Sequence, residues 1–155
     1  MALRKIVKND LEFLGKKSRP VTVFDEKLAA LIEDMRETLR KEEGAGLAAP
    51  QVGILRRIFI ADIHCDGSIY KEFINPEIIS ATGKNDRYYE GCLSFPGRSF
   101  NVTRAHKVTM RAQDVKGEFF EFTAEDFVAR CLLHEFDHLN GLTLPIVGKE
   151  VFEND

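Results

Sequence analysis

Two histidines spaced four residues apart are the residues in this chain best suited to chemistry. The chain reads His134-Glu135-Phe136-Asp137-His138 in a segment whose apolar residues recur at helical spacing. On a helix, side chains four residues apart share a face, so both imidazoles can bind one metal ion. Glu135 lies beside the first histidine and can accept a proton from a metal-bound water without being a ligand. The pattern predicts a metal-dependent hydrolase.

The surroundings of these histidines favour metal binding over a chance match on an amphipathic helix. They are half of the four histidines in the chain. Their neighbours are apolar: Phe127, Val128, Cys131, Leu132, Leu133, Phe136 and Leu139. Unpaired polar groups are costly in such a setting, so a ligand for both imidazoles is expected.

Two imidazoles hold a metal weakly, and a third ligand is therefore expected. No His or Cys follows His138, and the later glutamates Glu150 and Glu153 belong to a charged tail that we expect to be solvated. The third ligand is therefore expected upstream. Cys92, in the segment 90–97 that we expect to join a strand to an irregular stretch, can present a thiolate to a metal. A lone cysteine is more often a small buried apolar residue, and both interpretations stay open at this point.

A run of small residues at 44–53 forms a second segment of interest. It reads Gly-Ala-Gly-Leu-Ala-Ala-Pro-Gln-Val-Gly. Small residues let another backbone come close, as when a peptide adds a strand to a sheet. Gln51 is suited to donate a hydrogen bond to a carbonyl oxygen. An amide that bonds its own loop is an equally good interpretation of Gln51.

Two helices and the strands between them must position these residues. The first helix is predicted over 25–41, with Asp25 as N-cap, and the second over 124–140, capped by Thr123 and ended by Gly141. Strands are predicted at 54–63, 69–79, 107–113 and 118–122, with a hairpin turn at 114–117. The order predicts a single α+β domain over 1–155, with small, mixed antiparallel sheets around the late helix and one N-terminal helix.

Composition excludes several classes of protein. The chain has 155 residues, 44% of them hydrophobic and 30% charged, as in ordinary globular domains. A net charge of -3 gives no basic surface for nucleic acid. No apolar run reaches the roughly 18 residues that span a membrane, and the N-terminus lacks the apolar core of a signal peptide. Three cysteines are too few for a disulfide framework, so a cytoplasmic protein is expected.

Three motifs, taken in order, closely resemble the peptide deformylase family. They are Gly-Ala-Gly-Leu-Ala-Ala-Pro-Gln, Glu-Gly-Cys-Leu-Ser and His-Glu-Phe-Asp-His-Leu-Asn-Gly, and they span residues 44–141. That family removes the formyl group from the N-terminal methionine of newly made bacterial and organellar proteins. The resemblance covers nearly the whole chain and implies the family's fold and activity.

The resemblance implies a metal centre with assigned roles. Its ligands are Cys92, His134 and His138, with water or hydroxide completing the site. Metal-bound hydroxide would attack the formyl carbon, and Glu135 would act as general base and acid. Fe(II) is the metal implied in the cell, with zinc, nickel or cobalt as substitutes.

The resemblance also implies how the substrate is held. Gln51 and the backbone N–H of Leu93 form the oxyanion hole, and Gly46 hydrogen-bonds the peptide backbone. Cys131 and Phe127 lie three and seven residues before His134, on its side of the helix. The family's methionine pocket includes equivalent positions, with Glu90, Ala45 and Tyr88 nearby; core packing is the alternative for Phe127 and Cys131. Asp137 and Arg104 are expected to support the ligands.

The implied partner is an N-formylmethionyl nascent peptide, bound by a monomer. Transient association with the ribosome is expected, but the C-terminal helix by which many family members contact it is not found here. No nucleic acid or membrane is expected to bind directly. Three alternatives stay open: a small zinc peptidase with a downstream third ligand, a non-catalytic binder of peptide N-termini, and a structural metal site with four protein ligands.

Overall fold

The computed structural model describes residues 2–86 and 88–152. This part of the chain contains two antiparallel sheets and four helices. The helices are α1 (Leu11–Leu14), α2 (Glu26–Glu42), α3 (Asp126–Leu139) and α4 (Leu144–Val147). The strands are β1 (Gly46–Ala48), β2 (Ile58–Asp62), β3 (Tyr70–Thr82), β4 (Tyr89–Cys92), β5 (Phe95–Asn101), β6 (Lys107–Gln113), β7 (Phe119–Glu125) and β8 (Lys149–Val151). A short 3-10 helix, Ala49–Val52, follows β1. The α+β prediction is confirmed.

The larger sheet lies between α2 and α3. Its strand order is β1-β2-β3-β6-β7, and all pairs are antiparallel. Every residue of β2 is buried. Ile58 and Ile60, on one face of the strand, share a core with Met35 of α2. Phe59 and Ala61, on the other face, share a core with Leu132 of α3. Because successive side chains alternate between faces, an unbroken apolar strand is covered by one helix on each side.

Helix α2 matches its prediction closely. The Asp25 side chain accepts a hydrogen bond of 3.1 Å from the backbone N–H of Leu28, so Asp25 is the N-cap. The buried residues Ile32, Met35 and Leu39 recur at helical spacing along one face.

The start of α3 differs from the prediction. Thr123 does not cap the helix but belongs to β7, and its hydroxyl lies 2.8 Å from that of Thr109 on β6. The N-cap is Glu125, which pairs with Lys107 and makes no side-chain capping bond. Pairing across the hairpin therefore keeps these residues extended. At the other end, Gly141 has φ 72, as predicted for a left-handed residue after a helix.

The smaller sheet has the order β4-β5-β8 and carries Cys92. The segment predicted to lead into an irregular stretch is a hairpin, in which Cys92 pairs with Phe95. Phe95, Phe100 and Leu144 form its core. The tail predicted to be solvated contributes β8, where Glu150 pairs with Phe100, while Glu153 lies outside the described residues.

The helices offer no candidate for a membrane span. In the described residues none is both long and apolar enough to cross a bilayer.

Candidate metal centre

Helix α3 and strand β4 bring two imidazoles and one thiol to a single point. The ligand atoms of Cys92, His134 and His138 all lie within 4.8 Å of one another. Sγ of Cys92 is 3.4 Å from Nε2 of His138. A thiolate with two imidazoles fits zinc and several other divalent transition metals. The residues therefore suit a metal, and the upstream ligand expected from the sequence lies beside both histidines.

The number of protein ligands matches an open site. Within residues 2–86 and 88–152, no fourth His, Cys, Asp or Glu joins this cluster at that distance. A structural zinc site would normally have four protein ligands, whereas a catalytic site keeps a position for water. Among the described residues after His138, none joins the cluster as the downstream ligand that a zinc peptidase would use.

Glu90 fixes the orientation of His134. Oε1 of Glu90 lies 2.9 Å from Nδ1 of His134. Burial opposes ionisation of Glu90, but hydrogen bonds from Arg104 and His134 hold its pKa well below the ordinary value. A carboxylate that accepts from Nδ1 leaves Nε2 of the ring free for a metal.

Two arginines complete this buried network. Arg104 donates to both oxygens of Glu90 over 2.8 and 2.9 Å, and to Asp137 over 2.6 Å. Arg130 donates to Glu90, at 2.5 Å, and to the carbonyl oxygen of Val102, at 2.8 Å. Arg104 and Asp137 thus belong to a hydrogen-bond network that reaches His134 through Glu90, and their support of the metal ligands stays a prediction. The Glu90 carboxylate, for which contact with the substrate was predicted, accepts hydrogen bonds from Arg104, Arg130 and His134.

The histidines differ in their electrostatic surroundings. Burial works to lower the pKa of His134, but the negative charges of Glu135, Cys92 and Glu90 raise it well above the usual value. Burial and the positive charges of His134 and Arg104 lower the pKa of His138. A metal ligand must be a neutral imidazole, so metal binding at His134 displaces a proton.

Glu135 is buried beside the cluster with one oxygen unused. Its Oε2 lies 3.9 Å from Nε2 of His134. Its Oε1 is buried and has no hydrogen-bond partner among the described residues. Burial raises the pKa of Glu135 to about 7. A carboxyl group with a pKa near neutrality can both accept and deliver a proton.

Gln51 links the 3-10 helix to the β4–β5 hairpin. Its Oε1 accepts a hydrogen bond of 3.0 Å from the backbone N–H of Ala48. Its Nε2 then lies 3.1 Å from Oγ of Ser94 and 3.4 Å from Sγ of Cys92. The interpretation of Gln51 as an amide that bonds its own loop is confirmed for the oxygen, and the NH₂ group lies at the metal cluster.

A cleft of about 670 Å³ runs past these groups. Residues 44–46, at the sheet edge formed by β1, line one side, and residues 89–93 and 95–99 line the other. An edge strand can pair with an extended peptide. The predicted residues Ala45, Gly46 and Leu93 all line this cleft.

Phe127 and Cys131, which were predicted to belong to a side-chain pocket, both line this cleft. Phe127 is 40% exposed and lines the cleft, so it is not a core residue. Cys131 lines the cleft and is buried, and burial raises the pKa of its thiol. The lining includes Tyr89 and not Tyr88, whose ring instead packs edge-on against Phe127, 5.8 Å between centroids.

Two residues of the site were not assigned from the sequence. Ser94 lies in the quoted Glu-Gly-Cys-Leu-Ser motif, but its bond to Gln51 joins residues distant in the chain. Arg130 is 2% exposed and is the one charged residue on the apolar side of α3 before His134. The position of Arg130, four residues before a metal ligand on the apolar side of the helix, could have indicated a buried ion pair, because a buried guanidinium requires a carboxylate partner.

The chain is similar to known proteins over most of its length. A family model for polypeptide deformylase matches residues 3–146. The peptide deformylase of Clostridium botulinum (strain Alaska E43 / Type E3) is 53% identical over 141 residues, covering 91% of this chain and 93% of that protein. The crystal structure of a peptide deformylase from Legionella pneumophila matches with a TM-score of 0.89 at 44% identity, covering 94% of this chain and 86% of the other. The Thermotoga maritima peptide deformylase matches with a TM-score of 0.88 at 39% identity, covering 94% and 97%.

Proposed function

Because this chain belongs to the polypeptide deformylase family, we propose that it removes the N-formyl group from the N-terminal formylmethionine of nascent polypeptides and releases formate. The observation that carries the proposal is the convergence of Cys92, His134 and His138 beside the buried Glu135. The cleft next to them is bordered by an edge strand, which suits an extended peptide end.

Cys92, His134 and His138 would hold one divalent metal ion. When bound, the metal supplies a water of lowered pKa and a Lewis acid for the formyl oxygen. Fe(II) is the ion proposed for the cell, with Zn(II), Ni(II) or Co(II) as substitutes. The mixed thiolate and imidazole donors support this range, because such a set suits several transition metals.

Glu135 moves the proton in the proposed reaction. Its carboxylate takes a proton from the attacking water while the water oxygen bonds to the formyl carbon. The carbon–nitrogen bond then breaks, and Glu135 delivers the proton to the departing amine. Formate and a peptide with a free methionine amino group result. A pKa of about 7 supports both halves of this role.

Gln51 and Leu93 would stabilise the negative charge that develops on the formyl oxygen. The Nε2 group of Gln51 lies at the metal cluster because Ala48 holds its Oε1. The backbone N–H of Leu93 follows Cys92 at the turn of the β4–β5 hairpin. Donors fixed before the reaction stabilise such charge without having to reorganise.

The cleft would bind the peptide by backbone and side chain. Gly46 would hydrogen-bond the peptide backbone along the edge of β1, beside Ala45. Phe127 and Cys131 would contact the methionine side chain, since both line the cleft. Glu90 contributes mainly through His134, because its oxygens accept from Arg104, Arg130 and His134.

We further propose that residues 1–155 act as one catalytic domain and as a monomer in the cytoplasm. The lining of the cleft combines residues from 44 to 135, which supports one catalytic domain. The nascent substrate supports a transient association with the ribosome. The net charge of -3 supports an association without direct binding to nucleic acid.

A comparison of acyl groups on one peptide tests the chemistry. Protein loaded with Fe(II) without oxygen would be given formyl-Met-Ala-Ser, acetyl-Met-Ala-Ser and free Met-Ala-Ser, with products identified by mass spectrometry. Loss of the formyl group alone is expected, with the acetylated and internal amide bonds left intact. Cleavage of the Met–Ala bond in any of them would identify a peptidase and overturn the proposal.

A further inference from the structure

Strand β5 has a wide bulge that lines the cleft opposite β1. The strands β4 and β5 pair at Cys92 with Phe95 and again at Glu90 with Phe100. Between these pairs β4 has Gly91 alone, whereas β5 has residues 96–99, and all of these line the cleft. Gly97 has φ 74, which glycine adopts without strain. The bulge therefore adds four residues of β5 to the wall of the cleft.

Arg98 is the accessible cation of this wall. Its guanidinium carbon lies 5.7 and 5.2 Å from the ring centroids of Phe95 and Phe100, which flank the bulge. Its side chain is 37% exposed. The other Asp, Glu, Lys, Arg and His side chains that line the cleft, Glu90, Arg130, His134 and Glu135, are all buried.

Glu150 on β8 binds the guanidinium of Arg98 through two hydrogen bonds. Its two oxygens accept from Nε and Nη2 of Arg98 over 3.0 and 2.8 Å. Glu150 pairs with Phe100 in the sheet, so its carboxylate is carried by the same strand register that frames the bulge. The hydrogen bonds lower the pKa of Glu150 and raise that of Arg98, so both remain charged near neutral pH. A two-point bond fixes the guanidinium plane as well as its charge.

We propose that Arg98 determines how the cleft responds to charge in the peptide beyond formylmethionine, and that Glu150 is the positioning residue that holds Arg98 and offsets its charge. The inference rests on the proposed function, because it concerns the peptide that occupies the cleft. With the pair intact, the wall presents little net charge, and acidic and basic peptides are accepted about equally. Without Glu150 the charge of Arg98 is no longer offset, while the rings of Phe95 and Phe100 still flank its guanidinium, so Arg98 should attract carboxylates of the peptide.

Substitutions that remove one charge at a time test this. The four proteins are the wild type, Glu150→Gln, Arg98→Gln and the double variant. The substrates are formyl-Met-Ala-Ala-Ala peptides with Asp or Lys at the second, third or fourth residue. The readout is the ratio of kcat/KM for the Asp peptide to that for the Lys peptide.

The ratio for the wild type is expected near one at every position. At the peptide position closest to Arg98, Glu150→Gln should raise the Asp-to-Lys ratio of kcat/KM about 3- to 10-fold at low ionic strength. Arg98→Gln should lower this ratio. Both changes should be modest, because exposed charges interact weakly. The double variant should return to the wild-type ratio. The change should appear in KM and not in kcat, and should shrink in about 1 M salt, where the screening length falls to about 3 Å.

A purely structural tie would give a different result. Equal losses for Asp and Lys peptides, with ratios unchanged in both single variants, would overturn the inference. If one single variant does not fold, the other still tests the opposite shift. Dissociation constants of unformylated Met-Ala-Asp and Met-Ala-Lys peptides, measured by calorimetry, require no turnover. Absence of formate from every peptide would therefore overturn the proposed function, while the binding ratios would still decide this inference.

Discussion

A Cβ atom added to Gly46 would lie 2.7 Å from Oε2 of Glu135. Strand β1 and helix α3 thus approach so closely that a side chain at residue 46 would displace the carboxylate. Displacing a reacting group by about 1 Å can lower the rate about 100-fold. Gly46→Ala is therefore expected to lower kcat/KM by about that factor with metal content unchanged, as measured by formate release and metal analysis.

The double variant Gly46→Ala/Glu135→Ala checks the cause. An alanine at position 135 lacks the Cγ, Cδ and Oε2 atoms that the added methyl group would meet, so the effects of the two substitutions should not be additive. Fully additive losses would mean that Gly46 acts only on the substrate.

Gln51→Glu keeps the shape of the side chain and removes the donor at the metal cluster. Loss of one donor to a developing oxyanion lowers kcat about 100- to 1000-fold. We expect such a loss, with a smaller change in KM, in steady-state kinetics. Ser94→Ala removes a neighbour of the same amide and should reduce kcat less. A Gln51→Glu enzyme with wild-type kcat would remove Gln51 from the oxyanion hole.

Glu90→Gln should destabilise the protein and weaken metal binding together. The substitution removes the carboxylate that Arg104 and Arg130 share, so that Arg104 retains only Asp137, and breaking a buried ion pair destabilises by about 3 to 5 kcal/mol. It also weakens the bond that orients His134, which typically lowers metal affinity about 10- to 100-fold. Urea unfolding of the metal-free protein and metal titration measure the two effects. A loss below about 1 kcal/mol would show that the network contributes little.

The stability that Asp34 contributes should depend on pH. Its oxygens accept hydrogen bonds from the backbone N–H of Ala2, at 2.8 Å, and from Arg4, at 3.1 Å. These bonds lower the pKa of Asp34 below its ordinary value of 3.8. A lowered pKa means that the contribution is complete above about pH 4 and is lost as the pH falls through the folded-state pKa.

Asp34→Asn should therefore reduce the free energy of unfolding by about 1 kcal/mol at pH 7 and by less near pH 3. Chemical unfolding of both proteins across this range measures the difference. A difference that grew as the pH fell would contradict the assignment.

Local patterns predicted the helices better than the connections between them. The repeat of Ile32, Met35 and Leu39, with Asp25 as cap, lies within one segment and is readable there. The start of α3 depends on Glu125 pairing with Lys107 across a hairpin, and the wide bulge before Phe100 depends on the register of β4. Such pairing is set by the sheet, not by the residues of one strand.

The same contrast between local patterns and contacts of distant residues applies to the candidate site. Two histidines four residues apart predicted a common ligand face, and the motifs indicated which cysteine joins them. The supporting contacts could not be read in this way, since the Arg98–Glu150 pair joins residues 52 positions apart and the Arg130–Glu90 pair joins residues 40 apart. Roles assigned to Gln51, Leu93 and Gly46 remain predictions.

Formate release from formyl-Met-Ala-Ser is the most direct test of the central claim, that one metal centre and Glu135 carry out deformylation. Wild type and Glu135→Gln would be loaded with Fe(II) without oxygen and matched for metal content and folding. We expect formate from the wild type and a rate at least about 100-fold lower from Glu135→Gln, the range ascribed to a general acid–base group. Equal rates from the two proteins, or no formate from the metal-loaded wild type, would contradict the central claim.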